Sequence, residues 1–299
     1  MIKLIDYNLE KDFGVQDDRE ERLIFNFESV FKDQFFSRIE GDLIRNPPNH
    51  NIFMSTATAA EDIALYEIIN RKNKISAQHF YYISVLLKIN SLSKKKAGSW
   101  FYSSHPSDFG SLLFSNAEHL YPLVASLRTN KGDRLAKMKS NSIVDTNQML
   151  RSALIQDWNT LSKHYEHAYE KVFNNKSNSG KKLAESLSFD FNFYKGLMNE
   201  STEQVEAALS NYLLNKKWMK SRQRHSIGLT DGEFMSFPAM YYAKLAWICG
   251  HQIEINHPMI VSELLPTDPP DSFNNSYDFL HDPVLDAKQI ELSDGIYTV

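Results

Sequence analysis

The run Phe237-Pro-Ala-Met-Tyr-Tyr-Ala-Lys-Leu-Ala-Trp-Ile-Cys-Gly250 contains a single charge, Lys244. A helix that is apolar on nearly every side has to be covered on every side, so the rest of the chain must be arranged around it. Its limits are written into the residues. Ser236 can cap it, Pro238 is tolerated in its first turn, and Gly250 can end it in a left-handed cap. Tyr241 and Trp247 are therefore expected in the core. The following residues predict a short extended link and then a second, shorter helix that starts near Asn256 and Pro258 and stops at Pro266. Neither helix carries an obvious catalytic group.

Elsewhere the apolar residues recur with helical period, while glycine and proline are sparse before residue 266. The class is all-α, an array or bundle of antiparallel helix pairs with an irregular acidic C-terminal tail. Residues 1–266 read as a single helical domain, any subdivision falling near 129–142, and residues 267–299 as the tail. The spacing predicts helices over 17–44, 55–71, 77–92, 108–127 with a kink or break at Pro122, 145–174, 182–198 and 202–217. Leu23, Phe27, Val30, Phe31, Phe35 and Ile39 share one face of the first, and Ser201 or Thr202 opens the last. No repeat of fixed period is present.

Charge is unevenly placed. The formal net charge is −4, yet residues 251–299 hold nine carboxylates and one lysine, leaving residues 1–250 at +4. An acidic end of this kind suits something basic, in a partner or in the same chain. The basic run Lys216, Lys217, Lys220, Arg222, Arg224 and His225 is the intramolecular candidate. The partner-facing candidates are Asp268, Asp271, Asp278, Asp282, Asp286, Glu291 and Asp294. Clustered carboxylates on an inhibitor can mimic the charge of a phosphate-bearing substrate and fill the basic cleft that binds it. Phe273, Tyr277, Phe279 and Tyr297 set this tail apart from a solvated linker.

The catalytic and metal-binding patterns weigh less than their structural counterparts. His164 and His167 on one helix are three residues apart where a helical zinc pair wants four, and a solvated face explains them better. His251, His257 and His281 would need the irregular tail to bring them together. Cys249, the single cysteine, excludes an internal disulfide and reads as a buried, inert thiol. Phosphate-loop, dinucleotide and nucleophile-elbow motifs are missing. The expectation is a chain with no catalytic residue, no cofactor and no metal. Trp218 inside the basic run is a weak nucleic-acid signal beside so acidic an end, so no direct nucleic-acid contact is expected. No stretch is long enough to span a bilayer, residues 1–10 lack the apolar core of a secretory signal, and the expected location is the cytoplasm.

The apolar helix ending in Cys249-Gly250, the link Ile253-Glu-Ile-Asn-His-Pro258 and the closing Glu263-Leu-Leu-Pro266 resemble the C-terminal signature of the Immunity protein 49 family, the all-helical antitoxins of bacterial polymorphic-toxin systems. Phe193-Tyr-Lys-Gly-Leu-Met-Asn-Glu-Ser-Thr-Glu-Gln-Val-Glu-Ala-Ala-Leu209 is similar to that family's helix, short polar turn and helix. The likeness covers roughly residues 150–266 and rests on hydrophobic patterns, not on invariant chemistry. It implies stoichiometric occlusion of a cognate toxin domain acting in the cytoplasm, on nucleic acid or nucleotides, with the chemistry residing in the partner. Two other classes stay open: a helical-repeat scaffold whose partners are not toxins, and an all-α enzyme whose site is assembled from distant residues.

Overall fold

The computed structural model describes residues 18–28, 32–43, 50–93, 109–129, 142–215, 234–273, 275, 277–292 and 296–298. Eleven α-helices carry the fold among them: α1 (Arg19–Asn26), α2 (Lys32–Ser37), α3 (His50–Ile69), α4 (Lys74–Ser91), α5 (Gly110–Ser115), α6 (Tyr121–Ser126), α7 (Ser142–Leu154), α8 (Trp158–Phe173), α9 (Asn178–Met198), α10 (Thr202–Leu214) and α11 (Phe237–Ile248). A wider π-helical turn, Arg38–Leu43, continues α2. The class is all-α. To it the chain adds one three-residue antiparallel ladder of β1 (Leu127–Thr129) with β2 (Ile296–Thr298), which ties the tail's end to the segment after α6.

Consecutive helices pack as hairpins, most extensively α3 on α4, α7 on α8 and α9 on α10. Polar side chains cap the second helix of each pair. Asn73 accepts from the Ser76 amide at the start of α4, Asp157 from Thr160 at α8, and Ser201 from Gln204 at α10. Each bond satisfies an amide that the first turn would leave without a partner. Gly196 is needed for the last hairpin, because a Cβ there would lie 2.9 Å from the Val205 amide nitrogen of α10. Any side chain at 196 would push α9 and α10 apart.

Helix α11 sits at the centre as its composition demands. Phe237 to Ala246 are all buried, and α5, α7 and α10 surround them. Phe237 packs edge-on to Phe114 at 5.8 Å, and Tyr242 meets Phe189 and Phe193 edge-on at 4.7 Å each. The hydroxyls have partners: Tyr242 donates to the buried Asp190 carboxylate, and Tyr194 and Tyr241 pair at 3.3 Å. Gly250 adopts φ +89°, the Gly250 amide bonds Trp247 O and the His251 amide bonds Ala246 O, the paired closure of a Schellman cap. Tyr241 is fully buried as expected, but Trp247 is only half-buried. Its helix outruns the core in the last turn, where the indole N–H donates to Ile253 O at 3.1 Å.

A second polar centre holds α3, α4 and α5 together. Glu61 and Lys88 are both buried and paired at 2.5 Å, and Ser84 and Ser111 also donate to the same carboxylate oxygen, Oε1. Arg151 is likewise buried. Its guanidinium donates to Val124 O at 3.3 Å and to Leu127 O, capping the carbonyl end of α6.

Three expectations need correction. The single helix over 145–174 is two, because Gln156 is left-handed (φ 55°) and Asp157 starts a new helix with its own side chain. The helix over 108–127 breaks at Asn116 (φ 55°) and passes through a 3-10 turn, Glu118–Leu120; Pro122 then occupies the first turn of α6, where its missing N–H is harmless. The shorter helix before Pro266 is one 3-10 turn, Ser262–Leu264, in an otherwise extended run. The first helix, expected over 17–44, is helical in its described parts, α1 and α2 with its π-helical turn, and residues 17, 29–31 and 44 fall outside the described residues.

Candidate functional site

The described residues among 265–292 form an irregular strap laid over α4 and the α5–α6 connection. Its root is held by side chains that address its backbone. Lys244 donates to Leu265 O (3.1 Å) and Pro266 O (2.7 Å), Asn116 donates to Pro266 O (3.1 Å) and Asp268 O (2.9 Å), and Gln78 donates to Asp268 O (3.1 Å). Lys74 pairs with the Asp268 carboxylate at 2.6 Å. Partial burial pushes the Asp268 carboxyl upward, the Lys74 hydrogen bond pulls it down, and the net displacement is downward.

The far anchor is Asp282. One of its oxygens, Oδ2, accepts from Tyr82 and meets His119 Nε2, both at 2.7 Å. The other, Oδ1, accepts from the Val284 and Leu285 amides at 2.9 Å each, and the Asp286 carboxylate caps the Asp282 amide at 2.9 Å. Burial works against ionising Asp282, but the His119 contact and these donors outweigh it and hold the carboxyl below its ordinary value. Asn90 clamps the neighbouring backbone, donating to His281 O (2.8 Å) and accepting from His281 N (3.3 Å). Between the two anchors Phe273 lies 4.9 Å from the rings of both Tyr82 and His119.

The seven candidate carboxylates thus divide. Asp282 is 2% exposed and Asp268 is paired, so both brace the strap to the body; Asp271, Asp278, Asp286 and Glu291 are exposed. Asp294 lies outside the described residues, and so does the whole basic run from Lys216 to His225. The described anchors come instead from α4, Asn116, His119 and α11. Lys74, Gln78, Tyr82 and Asn90 all come from α4, where they stand among other polar residues and so are not singled out by the sequence.

Lys244 is fully buried, and burial, helped by Lys74, lowers its pKa from 10.5 to about 7, with Asp268 and Glu118 opposing. The geometry suits a neutral amine, whose two N–H groups match the two carbonyls within reach. Between pH 7 and 10.5 the unfolded chain then holds more protons than the folded one, so stability from this group rises with pH across that window and is flat below it. Lys244→Met removes the dependence. Between pH 7 and about 10 the thermal midpoint of the wild type is expected to rise relative to that of the variant; parallel curves would show that Lys244 keeps an ordinary pKa.

The histidines are dispersed. His251 Nδ1 meets Thr202 Oγ1 at 2.9 Å, His257 Nδ1 accepts from the Met259 amide at 3.1 Å, and His281 Nδ1 meets Lys288 at 3.2 Å. Burial lowers the His257 pKa to about 4. His164 and His167 lie on α8. No group of three or more His, Cys, Asp or Glu among the described residues is placed to hold a metal ion. Cys249 is part-buried instead of fully so; its thiol points at Ala153 O (3.6 Å), and burial pushes it up to about 12, far from a reactive thiolate. Among the described residues no helix is long and apolar enough to cross a membrane.

Two hollows flank the strap. One of about 680 Å³ is lined by Tyr82, Phe273, Tyr277, Asp278, Asp282 and Asp286 among others. The second, about 520 Å³, is mainly apolar, with Ile89, Leu92, Leu123, Val284 and Ile290 in its walls. In comparisons with known proteins, no family model, no curated protein and no solved structure matches this chain.

Proposed function

We propose that this chain is a cytoplasmic antitoxin of the Immunity protein 49 kind, which blocks a cognate toxin domain by stoichiometric binding and performs no chemistry itself. The reading rests on the sequence likeness over residues 150–266. The observation that carries it in three dimensions is the strap, in which Asp268 and Asp282 are used to fasten the segment while Asp271, Asp278, Asp286 and Glu291 stay exposed. A carboxylate-bearing surface that is already fixed loses less conformational entropy on binding than a free tail would. Exposed acids also speed encounter with a basic cleft. A toxin that binds nucleic acid or nucleotides offers such a cleft.

The test is co-expression with the product of the gene immediately upstream. The expected results are restored growth of cells making that product and a one-to-one complex on size-exclusion chromatography. A product that is harmless, or that stays lethal and separate from this chain, removes the antitoxin reading and favours a scaffold with other partners.

A further inference from the structure

The turn Asp282–Asp286 is built with more care than a surface loop requires. Asp282 is buried to lock it, taking four donors on two oxygens, and the Asp286 carboxylate closes it from the other side. What this locked turn displays is apolar: Val284 is 43% exposed and Leu285 55% exposed. Turns with exposed aliphatic tips gain nothing in folding from that exposure. Rigidity combined with exposed apolar tips is the arrangement that lowers the entropic cost of binding a partner.

The ridge also separates two unlike hollows. Val284 forms part of the wall of the apolar hollow, with Leu123 and Ile290, whereas Leu285 and Asp286 belong to the acidic one. Within the acidic hollow Asp282 is already matched by Tyr82 and His119, and Lys288 is turned to His281. Asp278 is an exposed carboxylate in the same hollow as the Phe273 and Tyr277 rings, and Asp286, whose Oδ2 holds the Asp282 amide, is exposed there as well. Carboxylates next to aromatic faces favour a guanidinium or ammonium group.

We infer that the ridge Asp282–Lys288 and its two hollows are the docking epitope for a protein partner that presents a basic side chain next to an apolar one, the first entering beside Asp278 and Asp286 and the second beside Val284. This rests on the antitoxin reading and names the part of the chain that meets the toxin. The complementary charge is what selects that occupant over an acidic or purely apolar segment.

The full chain is titrated with acetyl-Leu-Arg-Leu-amide and with acetyl-Leu-Glu-Leu-amide, and broadening of the peptide methyl signals reports binding. The arginine peptide is expected to bind and the glutamate peptide not to. Asp278→Lys and Val284→Ser, both at exposed positions, should each weaken the arginine peptide by about tenfold. Asp286→Asn keeps an acceptor for the Asp282 amide and should weaken it less. Glu185→Lys, exposed on α9, should change nothing, and all four variants should keep the wild-type thermal midpoint. Arginine and glutamate peptides behaving alike, or ridge variants binding as the wild type does, overturns the inference. The same variants are then tested against the upstream gene product. Unchanged complex formation overturns the epitope and leaves the antitoxin reading standing; arginine-selective peptide binding with no complex supports the ridge as a basic-peptide site and removes that reading.

Discussion

Glu61→Ala is expected to lower the stability of the helical body by about 3–5 kcal/mol, because it leaves the buried Lys88 ammonium without its counter-ion. Ser111 Oγ at 3.1 Å would be the remaining contact among those that hold Lys88 in place, and a hydroxyl cannot replace a charge. The double replacement Glu61→Leu with Lys88→Met should recover most of the loss. Both charges then vanish together, and well-packed apolar side chains commonly match a buried pair in stability. One detail strengthens this expectation: among the described residues the second oxygen, Oε2, has no hydrogen-bond partner, so the network is incomplete and its net worth small. Urea midpoints of the three proteins decide the matter. A loss under about 1 kcal/mol for Glu61→Ala would mean that water reaches Lys88 and the pair behaves as a surface one.

The features that sequence revealed are those with a local cause. Apolar period, caps and the Gly250 terminator are all decided within a turn or two, and α3, α4, α9, α10 and α11 fall close to where those signals put them. The break between α7 and α8 had a local signal as well, Asp157 three residues before Thr160, but the apolar stripe running through Trp158 hid it. The strap's docking had none. Lys74 and Asp268 are 194 residues apart and Tyr82 and Asp282 are 200 apart, so nothing near either member announces the other. The tail's acidity was plain, but the tertiary partners that make Asp268 and Asp282 braces, Lys74 for the first and Tyr82 and His119 for the second, separate them from the carboxylates it displays. Trp247 shows the converse, since an apolar helix says that it is covered without saying how far along its length the cover extends.

Asp282→Ala should detach the strap while the helices stay folded. The change strips the acceptor from Tyr82 and His119 and frees the Val284 and Leu285 amides, a cost of about 3 kcal/mol by the usual penalty for orphaned buried groups. Local opening limits how much of that cost reaches the whole fold, because the strap can leave once holding it costs more than releasing it. The expected signature is therefore faster amide exchange and faster proteolysis across residues 269–292, with a smaller fall in the thermal midpoint than for Glu61→Ala. Asp282→Asn should be milder: its carbonyl oxygen still serves the two amides, while the charge facing His119 and the acceptor for Tyr82 are lost. The pH dependence separates charge from shape. With its folded pKa depressed, Asp282 contributes stability that is present above the ordinary carboxylate value of 3.8 and lost as pH falls through the folded value. The Asn variant should lack that acid limb, and Asp271→Asn, at an exposed position, should retain it. If Asp282→Ala leaves strap protection unchanged, the strap is held by Leu280 and Phe273 packing, and the buried carboxylate is not its anchor.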